Sequence, residues 1–327
     1  YAWVDEPLYA AADRATVSGK ITIAASDNPE GAWVVLHQPG PDRVYQGVTL
    51  AGDDWQCETL GYVYSARADH EGKFTVPAVR PGTYALSAFV DGVLGEYRRG
   101  DITVAGPHTE IGNMVWKPVN HGRTLWQIGT PNRSAGELHV YGGATGFRKY
   151  LTWLEYPYEF PDGVDFNVDT DDPAVTWNYY QPCYLTPGSP FQLQLRGTTQ
   201  DHTLTTWKIR FTSDRDYHQQ TATLDIALAA SVFGTLAVAL NGQSLASFDP
   251  LPGPPGDNSS YRLACRGVYR QLPAITFPAN LIQRGQNVLT LSPTRPPLAP
   301  LTRGNTVDDW MEPMGGVMYD VIRLQVD

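Results

Sequence analysis

The chain has 327 residues, long for one core and comfortable for two domains. Its 24 Lys and Arg face 34 Asp and Glu, a formal net charge of −10 with no basic run, which argues against nucleic acid or an anionic membrane as partner. No apolar stretch approaches the roughly 18 residues of a membrane span, and 31 Gly with 26 Pro favour many short strands over long helices. Tyr1–Ala12 has no period and reads as an entry segment. A chain that opens at Tyr1 without Met or signal peptide reads as a processed or excised piece. Strands are predicted at Thr16–Ile23, Trp33–Leu36, Val44–Leu50 and Gly61–Ala68, the last with Tyr62, Tyr64 and Ala66 on one side.

Asp69–Tyr84 (D-H-E-G-K-F-T-V-P-A-V-R-P-G-T-Y) then reads as a hairpin. Gly72 supplies a positive φ in its first turn, and Arg80-Pro81-Gly82 forms the second. Lys73–Val76 and Tyr84–Phe89 alternate polar with apolar, as half-buried strands do. With Val93–Val104 this makes about seven strands, a natural sandwich. The pattern resembles the small sandwiches related to fibronectin type III and to the regulatory-like domain of carboxypeptidases. It is specific for a fold and nearly silent about function. The domain boundary is placed at Ala105–His108, giving domains 1–106 and 107–327.

The second domain is read as strands at Phe191–Leu195, Thr203–Thr212, Thr221–Ala230, Thr235–Leu240, Ala274–Phe277, Val288–Ser292 and Gly316–Val326. Asn241-Gly242 signals a hairpin into Gln243–Phe248, and Ser259–Arg270 reads as a short helix. Eight or more antiparallel strands suggest a jelly roll, so the fold class is all-β. The ordered set W-Q-I-G-T-P-N-R (Trp126–Arg133), V-A-L-N-G (Val238–Gly242), R-G-V-Y-R (Arg266–Arg270), G-Q-N-V-L-T-L (Gly285–Leu291) and M-Y-D-V-I-R-L (Met318–Leu324), behind R-A-T-V-S-G (Arg14–Gly19), resembles the two C-terminal domains of rhamnogalacturonan lyases of polysaccharide lyase family 4. The resemblance implies a secreted, extracellular protein whose parent enzyme cleaves the rhamnose–galacturonate backbone of pectin by β-elimination. It implies a carbohydrate-binding-module-like second domain and an N-terminal catalytic domain, with the family's Lys and His, lying outside this chain. No catalytic residue is assigned here. The chain is expected to serve in carbohydrate binding and as a scaffold for pectic polysaccharide. The alternatives are an autonomous polysaccharide lyase and a structural module without sugar affinity.

Sugar binding needs aromatic faces and planar cations. Trp153, Trp177, Tyr179, Tyr180 and Trp310 fall in irregular stretches and are the surface candidates, with Arg266, Arg270 and Arg303 as cationic partners. Trp207 and Trp126 read as core. His121 beside Arg123, and Arg148-Lys149-Tyr150, pair cations with a base or a phenol, yet such short polar clusters are usually turn surface. His202 reads as a solvated turn residue. Asp165–Asp172 packs four carboxylates but lacks the Gly and terminal Glu of an EF-hand loop, so it reads as a solvated acidic loop. No cofactor is required. A structural calcium is expected from the jelly-roll resemblance at Glu137 and Asp320, against a plain reading in which Asp320 accepts backbone or Arg hydrogen bonds. Cys183 and Cys265 either pair, leaving Cys57, or all three are buried thiols. Asn132 and Asn258 head glycosylation sequons.

Overall fold

The computed structural model describes residues 10–24, 29–45, 48–57, 59–142, 156–183, 194–195, 198–199, 206–232, 234–252, 267–294 and 315–327. The chain is all-β and divides into two units between Asn120 and His121. None of its helices is long and apolar enough to cross a membrane among the described residues.

The first unit holds β1 (Ala15–Ile23), β2 (Trp33–Pro39), β3 (Arg43–Tyr45), β4 (Val48–Leu50), β5 (Thr59–Arg67), β6 (Lys73–Val79), β7 (Gly82–Phe89), β8 (Tyr97–Val104) and β9 (His108–Trp116). Seven of them form two sheets, in the orders β6-β1-β9 and β5-β2-β7-β8, with β3 and β4 paired apart. Alternation chooses the inner face. Val17, Ile21 and Ile23 of β1 are buried while Lys20 and Thr22 are exposed. Phe74, Val76, Tyr84, Leu86, Met114 and Trp116 complete this core.

Two expectations need correction here. The stretch through Asp69–Tyr84 is not a hairpin: β6 pairs with β1, and β7 pairs with β2 and β8. Arg80-Pro81-Gly82 therefore carries the chain from one sheet to the other. The corner is tied by the Tyr84 hydroxyl, which donates to the Arg80 carbonyl at 2.9 Å, and by the Arg80 amide, which donates to the Tyr64 hydroxyl at 3.2 Å. This is the tyrosine-corner device of immunoglobulin-like sandwiches. The boundary also moves from 106 to 120, because β9 lies parallel to β1, with Thr16 opposite His108 and Ile23 opposite Trp116.

The second unit holds β10 (Arg123–Ile128), β11 (Asp165–Asn167), β12 (Gln181–Cys183), β13 (Gln194–Leu195), β14 (Thr198–Thr199), β15 (Trp207–Ser213), β16 (Thr221–Val232), β17 (Thr235–Leu240), β18 (Gln243–Phe248), β19 (Arg270–Gln271), β20 (Ile275–Pro278), β21 (Gly285–Thr294) and β22 (Gly315–Val326). One sheet runs β10-β22-β16-β19, with β12 also on β22 and β20 also on β16. The other runs β11-β15-β21-β17-β18. They enclose a core that includes Trp126, Leu224 and Ile322 of the first sheet and Trp207, Val238 and Leu289 of the second. Asn241 and Gly242 both take positive φ, 52° and 80°, in the expected tight turn between β17 and β18. Asn241 reaches further: its Oδ1 accepts from the Val288 amide at 2.9 Å and its Nδ2 donates to the Oδ1 of buried Asn287 at 2.9 Å. The V-A-L-N-G and G-Q-N-V-L-T-L motifs thus stitch together one corner of the fold.

Candidate functional site

The W-Q-I-G-T-P-N-R motif ends β10 and wraps onto β22. Gly129 turns with φ 77°, and a Cβ there would run into the Asp320 carbonyl oxygen. The loop that follows closes on the Asp320 side chain, which is 1% exposed. Its Oδ1 accepts from the Asn132 amide at 3.0 Å and the Ser134 amide at 3.1 Å. Burial pushes this carboxyl up to about 7 despite those amides, and the charge of Glu137 adds to the rise. Glu137 accepts from the Thr130 amide at 2.9 Å and from Asn132 Nδ2 at 3.4 Å. Two oxygens are left over: Asp320 Oδ2 and Asn132 Oδ1 are both buried without a hydrogen-bond partner. Oδ1 does what the plain reading expects, and the remainder is a set of hard oxygen donors of the kind calcium takes. No group of three His, Cys, Asp or Glu that could hold a metal ion gathers among the described residues. Asn132, which heads one sequon, is half-buried in this loop. Asn258 lies outside the described residues.

A groove of about 390 Å³ opens beside β10 and β15, lined also by residues just after β11, a volume in the range of small-ligand sites. Trp126 and Phe211 meet beneath it, ring centroids 5.5 Å apart. Trp126 is 7% exposed, and its buried indole N–H has no acceptor. Arg123 is exposed on the rim and its guanidinium donates to the Tyr217 hydroxyl at 3.2 Å. Asp169 accepts from the Thr212 amide at 3.0 Å through Oδ2. Gln127 donates to the Gly129 carbonyl at 3.0 Å.

Among the described residues, the aromatics expected on the surface are buried. Trp177 and Tyr180 are 0% exposed and Tyr179 is 2% exposed. Trp177 packs edge-on against Trp207 at 4.9 Å, and Trp207 donates to the Tyr156 hydroxyl at 2.6 Å. An irregular stretch can be buried when most of its polar groups find partners; here the Trp177 indole N–H has none, while its neighbours do. Asn178 donates to the Tyr180 carbonyl at 2.6 Å, and Tyr319 donates to Gln181 at 2.6 Å. Trp207 and Trp126 are core, as expected. Arg270 is half-buried and donates to the Tyr269 carbonyl at 2.8 Å. Trp153, Trp310, Arg266, Arg303, Arg148-Lys149-Tyr150, His202 and Cys265 lie outside the described residues, as does the side chain of Cys183. Cys57 keeps its thiol.

His121 and Arg123 do not act together. His121 Nε2 lies 3.7 Å from buried Asp225, which also meets Arg323 at 3.4 Å. In the acidic stretch, Asp165 holds Arg210 through two bonds of 2.5 and 2.7 Å, Asp171 accepts from the Asn167 amide at 2.9 Å, and Asp172 caps the Pro173–Thr176 helix through the Ala174 amide. These carboxylates fasten the loop.

The fold defines a class: a fibronectin type III-like sandwich followed by a larger sandwich of the carbohydrate-module type. Comparison with known families makes that specific. Polysaccharide lyase family 4, domain II, matches residues 14–111, and polysaccharide lyase family 4, domain III, matches residues 124–324. The chain belongs to polysaccharide lyase family 4, of which it holds these two domains. It is 29% identical to a protein named probable rhamnogalacturonate lyase B from Aspergillus terreus, over 88% of this chain and 46% of that protein. It is also 29% identical to rhamnogalacturonate lyase B from Emericella nidulans, over 80% of this chain and 42% of that one. The chain thus spans under half the length of these curated relatives. Among solved structures, a cohesin–X-dockerin complex from Acetivibrio cellulolyticus is 21% identical over 30% of this chain at a TM-score of 0.20, too distant to carry an argument.

Proposed function

We propose that this chain is the non-catalytic C-terminal portion of a secreted rhamnogalacturonan lyase, and that it holds pectic polysaccharide for the catalytic domain it accompanies. The observation that carries this is the ordered match of domains II and III across the chain, beside relatives named as rhamnogalacturonate lyases. β-Elimination needs a base near the proton beside the uronate carboxylate and a cation for the developing enediolate. His121, the base of the sequence reading, faces Asp225, whose other partner is Arg323. The groove beside β10 offers polar groups over an aromatic floor, which suits a sugar better than it suits proton abstraction.

Calcium belongs to the same proposal, held by Asp320 Oδ2, Asn132 Oδ1 and Glu137. It would pin the loop after β10 to β22 and supply no chemistry to a substrate. A second reading, an autonomous lyase, draws on the Arg123–Tyr217 contact, where a phenol meets a guanidinium in the groove.

Electrophoresis of the chain through gels containing rhamnogalacturonan, other pectins or an inert polysaccharide tests these readings together. We expect retardation in rhamnogalacturonan and no growth of unsaturated-uronide absorbance. Absorbance that grows with time would establish the second reading instead. Neither signal would leave a scaffold without sugar affinity.

A further inference from the structure

We infer that the groove between β10 and β15 is a subsite for an acidic sugar residue, with Arg123 taking the carboxylate. This rests on the carbohydrate-binding reading above and names the class of residue bound and the side chains that select it. Arg210, Arg215 and Arg323 are each held by a carboxylate, at 2.5, 3.1 and 3.4 Å. Arg123 instead has a neutral phenol as its partner, so its planar fork remains available for a carboxylate in two-point contact. The charges around it are Asp169 in the groove wall and Asp214, whose own partner is Arg215.

The floor is aromatic. Trp126 is more than nine-tenths buried, lines the groove, and has an indole N–H without an acceptor. The indole nitrogen is itself closed off from solvent, so a sugar in the groove would meet the ring and not the N–H. The second oxygen of Asp169, the Thr212 hydroxyl and the Gln127 oxygen add acceptors and a donor suited to sugar hydroxyls. A carboxylate at one end and hydroxyls along the wall describe a uronate residue.

The test titrates the full chain calorimetrically with an oligosaccharide of alternating rhamnose and galacturonate and with its carboxyl-reduced, neutral form. The variants are Arg123→Gln and Asp169→Asn, and the Trp126 indole N–H is followed by NMR. Arg123→Gln should weaken the acidic oligosaccharide about tenfold or more, the scale of one charge-assisted two-point contact, and leave the neutral form unchanged. The indole resonance should shift on binding to the wild type. Equal losses on both sugars would mean that Arg123 meets hydroxyls, and would overturn the acidic assignment. Wild-type affinity in both variants, with an unmoved indole, would overturn the subsite while binding elsewhere survives. Failure of the wild type to bind either sugar would overturn the binding reading itself. Arg123 is exposed, so its variant should melt with the wild type and report on binding alone.

Discussion

The residue that most needs an explanation is Asp320. A carboxylate that breaks an apolar strand and is 1% exposed costs free energy unless something compensates its charge. Backbone amides compensate one oxygen only. Burial raises its folded-state value from 3.8 to about 7, so in chelator the ionised form is the penalised one. The sign follows from linkage: the penalty is absent below the unfolded value, develops between about 4 and 7, and is complete above 7. Without a cation, the wild type should therefore lose stability relative to Asp320→Asn as the pH rises from 5 to 8, since the amide has no charge to bury. With calcium the wild type should melt higher, on the order of several degrees for a site filled well above its Kd, and Asp320→Asn should not respond. Thermal melts of both proteins at both pH values, with calcium or chelator, decide this. An unchanged melt and no calcium retained after dialysis would remove the cation from the proposal.

At the scale of elements, the strands were legible because alternation is a local property, and β1, β16, β17 and β22 fall close to where the period places them. What was not legible is pairing. Pro81-Gly82 turns a chain equally well within a sheet or between two, and only the partners of β6 and β7 tell which. The same limit hid the site. Arg123 and Trp126 sit on β10 while Asp169, Thr212 and Tyr217 come from segments about 45 to 90 residues further on, so no short window contains the groove. Trp177, Tyr179 and Tyr180 looked exposed because irregular backbone usually lies outside, and here Asn178 and Gln181 make its burial tolerable. Turns, by contrast, state their geometry. Gly72 and Gly92 both take positive φ, 80° and 91°. A Cβ at Gly72 would run into the Ile21 carbonyl oxygen, whereas at Gly92 it meets nothing within 4 Å. Gly92→Ala should cost about 1 kcal/mol, the left-handed penalty alone, and Gly72→Ala about 3 kcal/mol or more once the displaced β1 backbone is included. Urea unfolding of the two variants measures the gap, and equal losses would show that the β5–β6 turn relaxes freely.

For the whole molecule the decisive question is where one fold ends and the next begins. Composition points to Ala105–His108, a Gly-Pro break of the sort that often separates domains, and the fold places the division fourteen residues later, after Asn120. The difference is β9. It runs parallel to β1 from His108 to Trp116 and buries Met114 and Trp116, 2% and 5% exposed. Burying each such side chain is worth about 1.5–3 kcal/mol, a large share of the stability of a domain this small. Without β9 the sheet shrinks to β6 and β1, and two strands do not stand alone in water. A piece cut after Asn120 should therefore unfold cooperatively with dispersed amide resonances, while one cut after Gly106 should bind a hydrophobic dye and melt without a defined transition. The complementary piece from His121 should fold by itself, since its core draws only on residues from Trp126 to Val326. If the piece ending at Gly106 folded as well as the longer one, β9 would be a linker that happens to lie against β1, and the boundary read from composition would be the physical one.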